Sequence, residues 1–159
     1  MTEKPEPRGL GGWLLLALTG FVALVTATVV EIRDPLKLML EWELLAVFAR
    51  PETHGWYCVV ILLVGMDVVT GVFIVAGAGW LLMLGWRRSV RFPVHVQAWL
   101  LATLVMRTLA YLLGDYLTHV IAIDIGIPVA GFVQAAAAAA LGVPYFRQSR
   151  RVRNTFVKP

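Results

Sequence analysis

The stretch PVHVQAWLLATLVMRTLAYLLGDYLTHVI, from Pro93 to Ile121, is apolar and long enough to cross a bilayer, yet it carries an arginine near its middle. Arg107, Tyr111, Asp115 and His119 follow one another at every fourth position. On an α-helix each step of four residues turns the side chain by only about 40°, so these residues form one slowly drifting polar stripe. A charge at the centre of a membrane helix costs roughly 2.5 to 3.5 kcal/mol, and Arg107 therefore needs a partner elsewhere in the chain.

The rest of the chain is also strongly apolar. Hydrophobic residues make up 59% of its 159 residues, the mean hydropathy is +0.77, and several runs approach or exceed the length of a membrane helix. The sequence therefore predicts an all-α, polytopic membrane protein of one domain. The net charge of +4 comes from basic residues beside the apolar runs, a distribution that orients membrane proteins and does not favour nucleic-acid binding. Cys58 is the single cysteine, so no disulfide or cysteine-based zinc cluster forms within the chain, and we predict no metal or cofactor.

Four apolar runs have the length of transmembrane helices. We expect these spans at about 13–30, 57–84, 94–120 and 127–143. A polar leader, 1–12, precedes the transmembrane domain, 13–145, and a basic tail, 146–159, follows it. Pro144 is expected to end the last helix, because proline has no backbone N–H for the helical ladder.

The connection after the first span has a different composition, with five acidic and three basic residues between Glu31 and Trp56. Asp34 followed by Pro35 is typical of a helix start, with aspartate as the N-cap and proline at the first helical position. Apolar residues then recur on one face, which predicts an amphipathic helix at about 35–49. It is too short and too charged to span. We expect it on the membrane surface or packed over the ends of the spanning helices.

The distribution of basic residues predicts the orientation in the membrane. Ten Lys and Arg residues lie in the leader, the second connection and the tail, against three in the first connection and none in the third. Positive residues collect on the cytoplasmic side. We therefore expect a bacterial inner-membrane protein with both termini in the cytoplasm and the interfacial helix in the periplasm.

Depth along the helices indicates which groups pair with Arg107. Asp67 lies about 15 Å below the outer start of the second span, and Arg107 about 20 Å above the inner start of the third. In a hydrocarbon core about 30 Å thick these depths agree within one helical turn, which predicts an ion pair between Asp67 and Arg107. Asp115, two turns further out on nearly the same face, is a second candidate partner, because a guanidinium offers five donors.

The intramembrane set of Asp67, Arg107, Tyr111 and Asp115 has two interpretations. It fixes the register of the helices, or it forms a ligand or proton site that faces a cavity. An intramembrane aspartyl protease is not favoured, because Gly114-Asp115 lacks the second glycine of a Gly-x-Gly-Asp pattern and Asp67 is expected to pair with a base. The sequence has no serine–histidine, P-loop or paired-cysteine motif, so we assign no catalytic residue and predict that the protein is not an enzyme.

The basic tail is a candidate contact for anionic lipids or for a partner protein. Its arginines are Arg147, Arg150, Arg151 and Arg153. Each basic residue near the surface attracts anionic lipid by about 1 kcal/mol, so we expect the tail to bind anionic lipids at the cytoplasmic face. The aromatic residues at 145–146 and 156 further suggest that the tail folds back on the bundle or docks a cytosolic partner.

Short motifs at the ends of the spans resemble one protein family. They are Gly11-Gly12-Trp13-Leu14 before the first span, Arg91-Phe92-Pro93 before the third, and Pro144-Tyr145-Phe146, Ser149, Arg151-Val152 and Thr155-Phe156 after the fourth. In these motifs, and in the four-span plan, the chain resembles the domain-of-unknown-function 2569 family over essentially its whole length. The resemblance implies a bacterial inner-membrane protein with an acid in the second and third helices, which Asp67 and Asp115 match. It implies no reaction.

Together these features predict a non-catalytic accessory or interaction subunit of a membrane complex. Small residues at 19, 23 and 27 in the first span and the alanine run 135–140 in the fourth suit close helix packing within the bundle, between copies in a homo-oligomer, or with a larger complex. The alternative is a small transporter or ligand-binding membrane protein that uses Asp67, Arg107 and Asp115.

Overall fold

The computed structural model describes residues 13–41, 46, 55–121, 129–149, 152 and 155–156. Their helices are α1 (Trp13–Glu31), α2 (Arg33–Leu40), α3 (Gly55–Trp86), α4 (Phe92–Ile121) and α5 (Val129–Gln148). These described residues contain no β-strand, which confirms the all-α prediction.

Among the described residues, three segments are long and apolar enough to cross a membrane: Ile61–Trp86 in α3, Phe92–Val120 in α4 and Val129–Gln148 in α5. The fourth long helix, α1, carries no charge before its last residue, Glu31, and packs against α3 and α5. The chain is therefore a membrane protein with several spans.

The central helix is α4, which packs along α3 on one side and α5 on the other. Its buried face repeats with helical spacing and consists of Phe92, Val96, Trp99, Leu100, Thr103, Arg107, Ala110, Gly114 and Leu117. On the opposite face Leu101, Val105 and Leu109 are about half exposed. This apolar outer surface is what a helix presents to lipid, and it leaves the interior of the bundle for the polar residues.

The second helix begins earlier and ends sooner than the sequence predicts. Its N-cap is Ile32, whose own backbone is helical, and no side chain caps the start. The N–H of Ile32 donates to the Thr28 carbonyl at 2.9 Å and the N–H of Leu36 to the Ile32 carbonyl at 2.9 Å, so the ladder of α1 passes almost directly into α2. Asp34 as the N-cap is therefore wrong, because a helix that continues from its predecessor needs no capping side chain. Glu41 is extended and ends α2 at Leu40; most of the predicted segment beyond it lies outside the described residues.

The last long helix runs past Pro144, which corrects the prediction that this proline ends it. Pro144 lies inside α5, which continues to Gln148. Proline removes one ladder hydrogen bond, a loss that membrane helices tolerate when neighbouring groups compensate. Here the extra turn places Phe146 in the core, where its ring packs edge-on against Phe92 at 6.0 Å.

The described residues of the tail pack against the bundle. Val152 and Phe156 belong to the same buried cluster as Phe92 and Trp99, and Val152 is fully buried. The Phe156 ring stacks on Phe92 with 4.4 Å between ring centroids. The N–H of Phe156 donates to the Val152 carbonyl at 3.1 Å. The described residues of the tail thus pack over the end of the bundle at the start of α4.

Candidate functional site

Arg107 binds two carboxylates from two other helices. Its Nη2 lies 2.7 Å from Oε2 of Glu31, the last residue of α1, and its Nη1 lies 3.1 Å from Oδ1 of Asp67 in α3. The Arg107 side chain is only 4% exposed, against 29% for Glu31 and 19% for Asp67. One guanidinium in α4 thus joins α1, α3 and α4, and each contact is a charge-assisted hydrogen bond.

The remaining long helix, α5, reaches the same guanidinium through Gly131. A Cβ atom at this position would lie 2.8 Å from Nη1, 3.0 Å from Cζ and 3.2 Å from Nε of Arg107. Gly131 is itself buried, so the backbone of α5 covers the guanidinium where a larger residue would displace it. All four long helices therefore meet at Arg107, and we call Glu31, Asp67, Arg107 and Gly131 the Arg107 cluster.

A methyl group at Gly131 is expected to destabilise the protein. In an open helical position Gly→Ala stabilises by roughly 0.5–1 kcal/mol. At Gly131 the added atom meets a guanidinium held by two ion pairs, so we expect Gly131→Ala to cost about 1–3 kcal/mol instead. The matched control is Gly79→Ala in α3, where an added Cβ has nothing within 4 Å. The measurement is the thermal unfolding midpoint in detergent. Equal midpoints for the two variants would show that the α5 backbone does not pack against the Arg107 guanidinium.

The structure brings together two of the four residues that the sequence placed in the intramembrane set. The predicted ion pair between Asp67 and Arg107 is present. Asp115 lies eight residues beyond Arg107, about 12 Å along α4, and does not share its guanidinium. Its carboxylate is 3.7 Å from Nε2 of His119 on the same helix, and its side chain is 43% exposed. Asp115 as a partner of Arg107 is therefore wrong.

Tyr111 packs against α5 instead of joining the ion pairs. Its ring stacks on Phe132 with 5.1 Å between centroids and 20° between ring planes. Such pairs contribute about 0.5–1.5 kcal/mol beyond the burial of area. This ring contact therefore joins α4 to α5, one helical turn from Arg107.

The sequence does not single out Glu31 as a partner of Arg107, because Glu31 stands at the start of the charged connection that follows the first span. It directly follows the uncharged run of the first span, about 27 Å from the start of that run. Arg107 lies about 20 Å into its own span, and an arginine side chain can bridge the remaining 7 Å. The depth of Glu31 along its helix thus matches that of Arg107 about as well as the depth of Asp67 does.

Of the tail arginines, the structure describes only Arg147, which is exposed at the end of α5. Arg150, Arg151 and Arg153 lie outside the described residues. In the described part of the chain no group of three or more His, Cys, Asp or Glu side chains is arranged to hold a metal ion.

The small-residue faces of α1 and α5 meet at one cavity. Gly20, Ala23 and Ala27 line it from α1, and Ala137 and Ala138 from α5. Ala135 and Ala139, also in the alanine run, are instead buried inside the bundle. The alanine run thus serves two surfaces, one turned to the interior and one to the cavity.

The helices and the Arg107 cluster define a multi-span α-helical membrane protein whose long helices meet at a buried, ion-paired arginine. The chain belongs to the family described as "Protein of unknown function (DUF2569)", whose model matches residues 7–157. This confirms the resemblance drawn from the motifs at the ends of the spans.

A relative in Escherichia coli (strain K12), "Inner membrane protein YdgK", is 30% identical over 158 residues. The match covers 96% of this chain and 97% of the relative. No solved structure matches the chain.

Proposed function

We propose that this protein is a four-span bacterial inner-membrane protein that catalyses no reaction and serves as an accessory or interaction subunit of a membrane complex. The observation that carries the proposal is the state of Arg107, which is 4% exposed and held between Glu31 and Asp67. The two ion pairs join α1, α3 and α4, and Gly131 brings α5 against the same guanidinium. The cluster therefore acts to hold the four long helices in register. The inner-membrane location is supported by the name of the Escherichia coli relative.

The proposed topology makes α1 the fourth span and places both termini in the cytoplasm. At 19 residues α1 is about 28 Å long, close to the thickness of the hydrocarbon core. The turn between α3 and α4 carries Arg87, Arg88 and Arg91, all exposed, as expected of a cytoplasmic connection. In this orientation α2 lies on the periplasmic side, with Leu36, Leu38 and Leu40 exposed for contact with the membrane surface.

Reporter fusions test the topology. Green fluorescent protein folds in the cytoplasm but not after export through the general secretion pathway, so a fusion after Pro159 is expected to fluoresce. Alkaline phosphatase needs the periplasm, so its fusion after Glu41, at the end of α2, is expected to be active. The reverse pattern of signals would reject the orientation.

Purification from native membranes with a tag after Pro159 tests the accessory role. We expect a membrane protein to be recovered with the chain near equal stoichiometry. The matched variant combines Glu31→Gln, Asp67→Asn and Arg107→Met, which removes every charge of the Arg107 cluster while keeping side chains of similar size. If the cluster is structural, this variant keeps the partner. Recovery of the wild type alone, or loss of the partner from a folded triple variant, would count against the proposal.

The second candidate is a small transporter or ligand-binding membrane protein that uses the Arg107 cluster. Two carboxylates face one guanidinium, and both remain partly exposed, which favours a site where a proton or a ligand balances the excess negative charge. Thr103, one turn before Arg107, adds a buried hydroxyl without a hydrogen-bond partner among the described residues. Such groups suit the lining of a proton or solute path.

A flux measurement separates the two candidates. The protein is reconstituted in liposomes that contain the pH-sensitive dye pyranine, and a pH gradient is imposed. A proton-coupled site predicts a faster collapse of the gradient than in protein-free liposomes, and a loss of this effect in a folded Asp67→Asn variant. A structural cluster predicts equal rates in all three samples, together with a lower thermal stability of Asp67→Asn.

A further inference from the structure

The cavity between α1 and α5 is a groove with apolar walls. Its volume is about 780 Å³, and its base is formed by Leu81 of α3 and by Val96 and Leu100 of α4. Ala23 and Ala137, on opposite walls, are exposed at its mouth. Because the walls belong to helices of a membrane protein, the mouth faces the hydrocarbon of the bilayer.

The length and the lining of the groove match a lipid acyl chain. Along α5 the groove runs from Gln134 to Phe146, twelve residues or about 18 Å, which is close to one leaflet of a hydrocarbon core about 30 Å thick. The groove therefore has the length of an acyl chain that extends from the headgroup region toward the middle of the bilayer, and its apolar walls suit hydrocarbon.

Positive charge is concentrated at one end of the groove. Phe92 and Phe146 close this end, and the adjacent residues Arg91 and Arg147 are both exposed. The arginine-rich turn between α3 and α4 lies at the same end of the bundle. Arginines bind phosphate through paired, charge-assisted hydrogen bonds and attract anionic lipids near a membrane surface.

We propose that the groove binds one anionic phospholipid from the leaflet beside the α3–α4 turn. An acyl chain of this lipid lies between α1 and α5, and its phosphate lies at Arg91 and Arg147. An acyl chain fills the apolar walls that the small residues leave open, and each buried methylene contributes to affinity. This site shares no residue with the Arg107 cluster, so it stands or falls independently of the proposed function.

Lipid retention after mild extraction tests the site. The protein is reconstituted in nanodiscs of equal parts dioleoylphosphatidylglycerol and dioleoylphosphatidylcholine, extracted in detergent and analysed by native mass spectrometry. We expect the wild type to retain one phosphatidylglycerol. Gly20→Phe, which places a ring in the groove where an added Cβ has nothing within 4 Å, is expected to lower retention about tenfold. Gly79→Phe, equally unobstructed but outside the groove, is expected to leave it unchanged.

The charge of the headgroup is tested separately. Arg91→Gln combined with Arg147→Gln is expected to abolish the preference for phosphatidylglycerol over phosphatidylcholine. Arg33→Gln, an exposed arginine in α2 at the other end of the bundle, is expected to keep it. Circular dichroism checks the fold of each variant, and Ala137→Phe on the opposite wall replaces Gly20→Phe if that variant does not fold.

Three results would overturn the proposal. The first is a wild type that retains no lipid or retains both lipids equally. The second is equal retention by folded Gly20→Phe and Gly79→Phe. The third is a crosslink from Ala137→Cys to a second copy or to another protein in native membranes, which would make a protein the occupant of the groove.

Discussion

Arg107→Met is expected to destabilise the protein by about 3–5 kcal/mol, because it leaves the carboxylates of Glu31 and Asp67 without their shared cation. Methionine fills much of the volume of the arginine stem, so the loss reports mainly the missing charge. The measurement is the free energy of unfolding in detergent, with circular dichroism as the signal that monitors unfolding. The matched control is Arg33→Met, which removes an exposed arginine and is expected to change stability by less than about 0.5 kcal/mol.

The same measurement on combined variants identifies the cause of the loss. Removing all three charges with Glu31→Gln, Asp67→Asn and Arg107→Met is expected to recover a large part of the stability, because neutral groups carry no uncompensated charge. If Arg107→Met is as stable as Arg33→Met, or if the triple variant is no better than the single one, the ion pairs do not hold the helices.

Phe156→Ala is expected to destabilise the protein by about 3–5 kcal/mol, although Phe156 lies only three residues from the end of the chain. Its side chain is 4% exposed, and its ring stacks on Phe92 at 4.4 Å between centroids. Truncation to alanine leaves a cavity beneath the start of α4, where Phe146 also packs. The measurement is again the free energy of unfolding in detergent.

The control for Phe156→Ala is Phe73→Ala in α3. Phe73 is 37% exposed on the outer surface of the bundle, so its removal opens little internal volume. We expect Phe73→Ala to cost less than half as much as Phe156→Ala. Equal losses of stability in the two variants would show that Phe156 does not pack as described. The same conclusion would follow if a chain truncated after Ser149 had the same free energy of unfolding as the full-length chain.

Part of the Arg107 cluster was predictable because it follows from positions along single helices. Asp67 and Arg107 are charges inside apolar runs, and the rise of 1.5 Å per residue compares their depths without knowledge of the fold. Positions along a single helix do not predict how that helix is rotated about its own axis, and so do not predict which neighbour each side chain faces. Asp115 lies on a neighbouring part of the α4 surface, yet its described partner is His119 on the same helix, while Glu31 reaches Arg107 from α1.

The fate of the last residues also depended on tertiary contacts. Pro144 and the arginines after it are typical of a helix end followed by a solvated tail. The structure continues α5 for one further turn because Tyr145 and Phe146 pack in the core, and Phe156 then returns to Phe92. Local signals for a helix end were outweighed by the burial of aromatic area, which no local pattern measures.

The sequence by itself determined the helical class, the long apolar helices, the family and the depth of the buried arginine, because hydropathy, helical spacing and motif spacing are properties of contiguous residues. Only the tertiary structure decided that Glu31 and not Asp115 completes the ion pairs, that Gly131 brings α5 against the guanidinium, and that α1 and α5 leave a groove between their small-residue faces. These features depend on how helices distant in sequence are rotated and placed against one another, and that placement is set by the packing of the whole bundle.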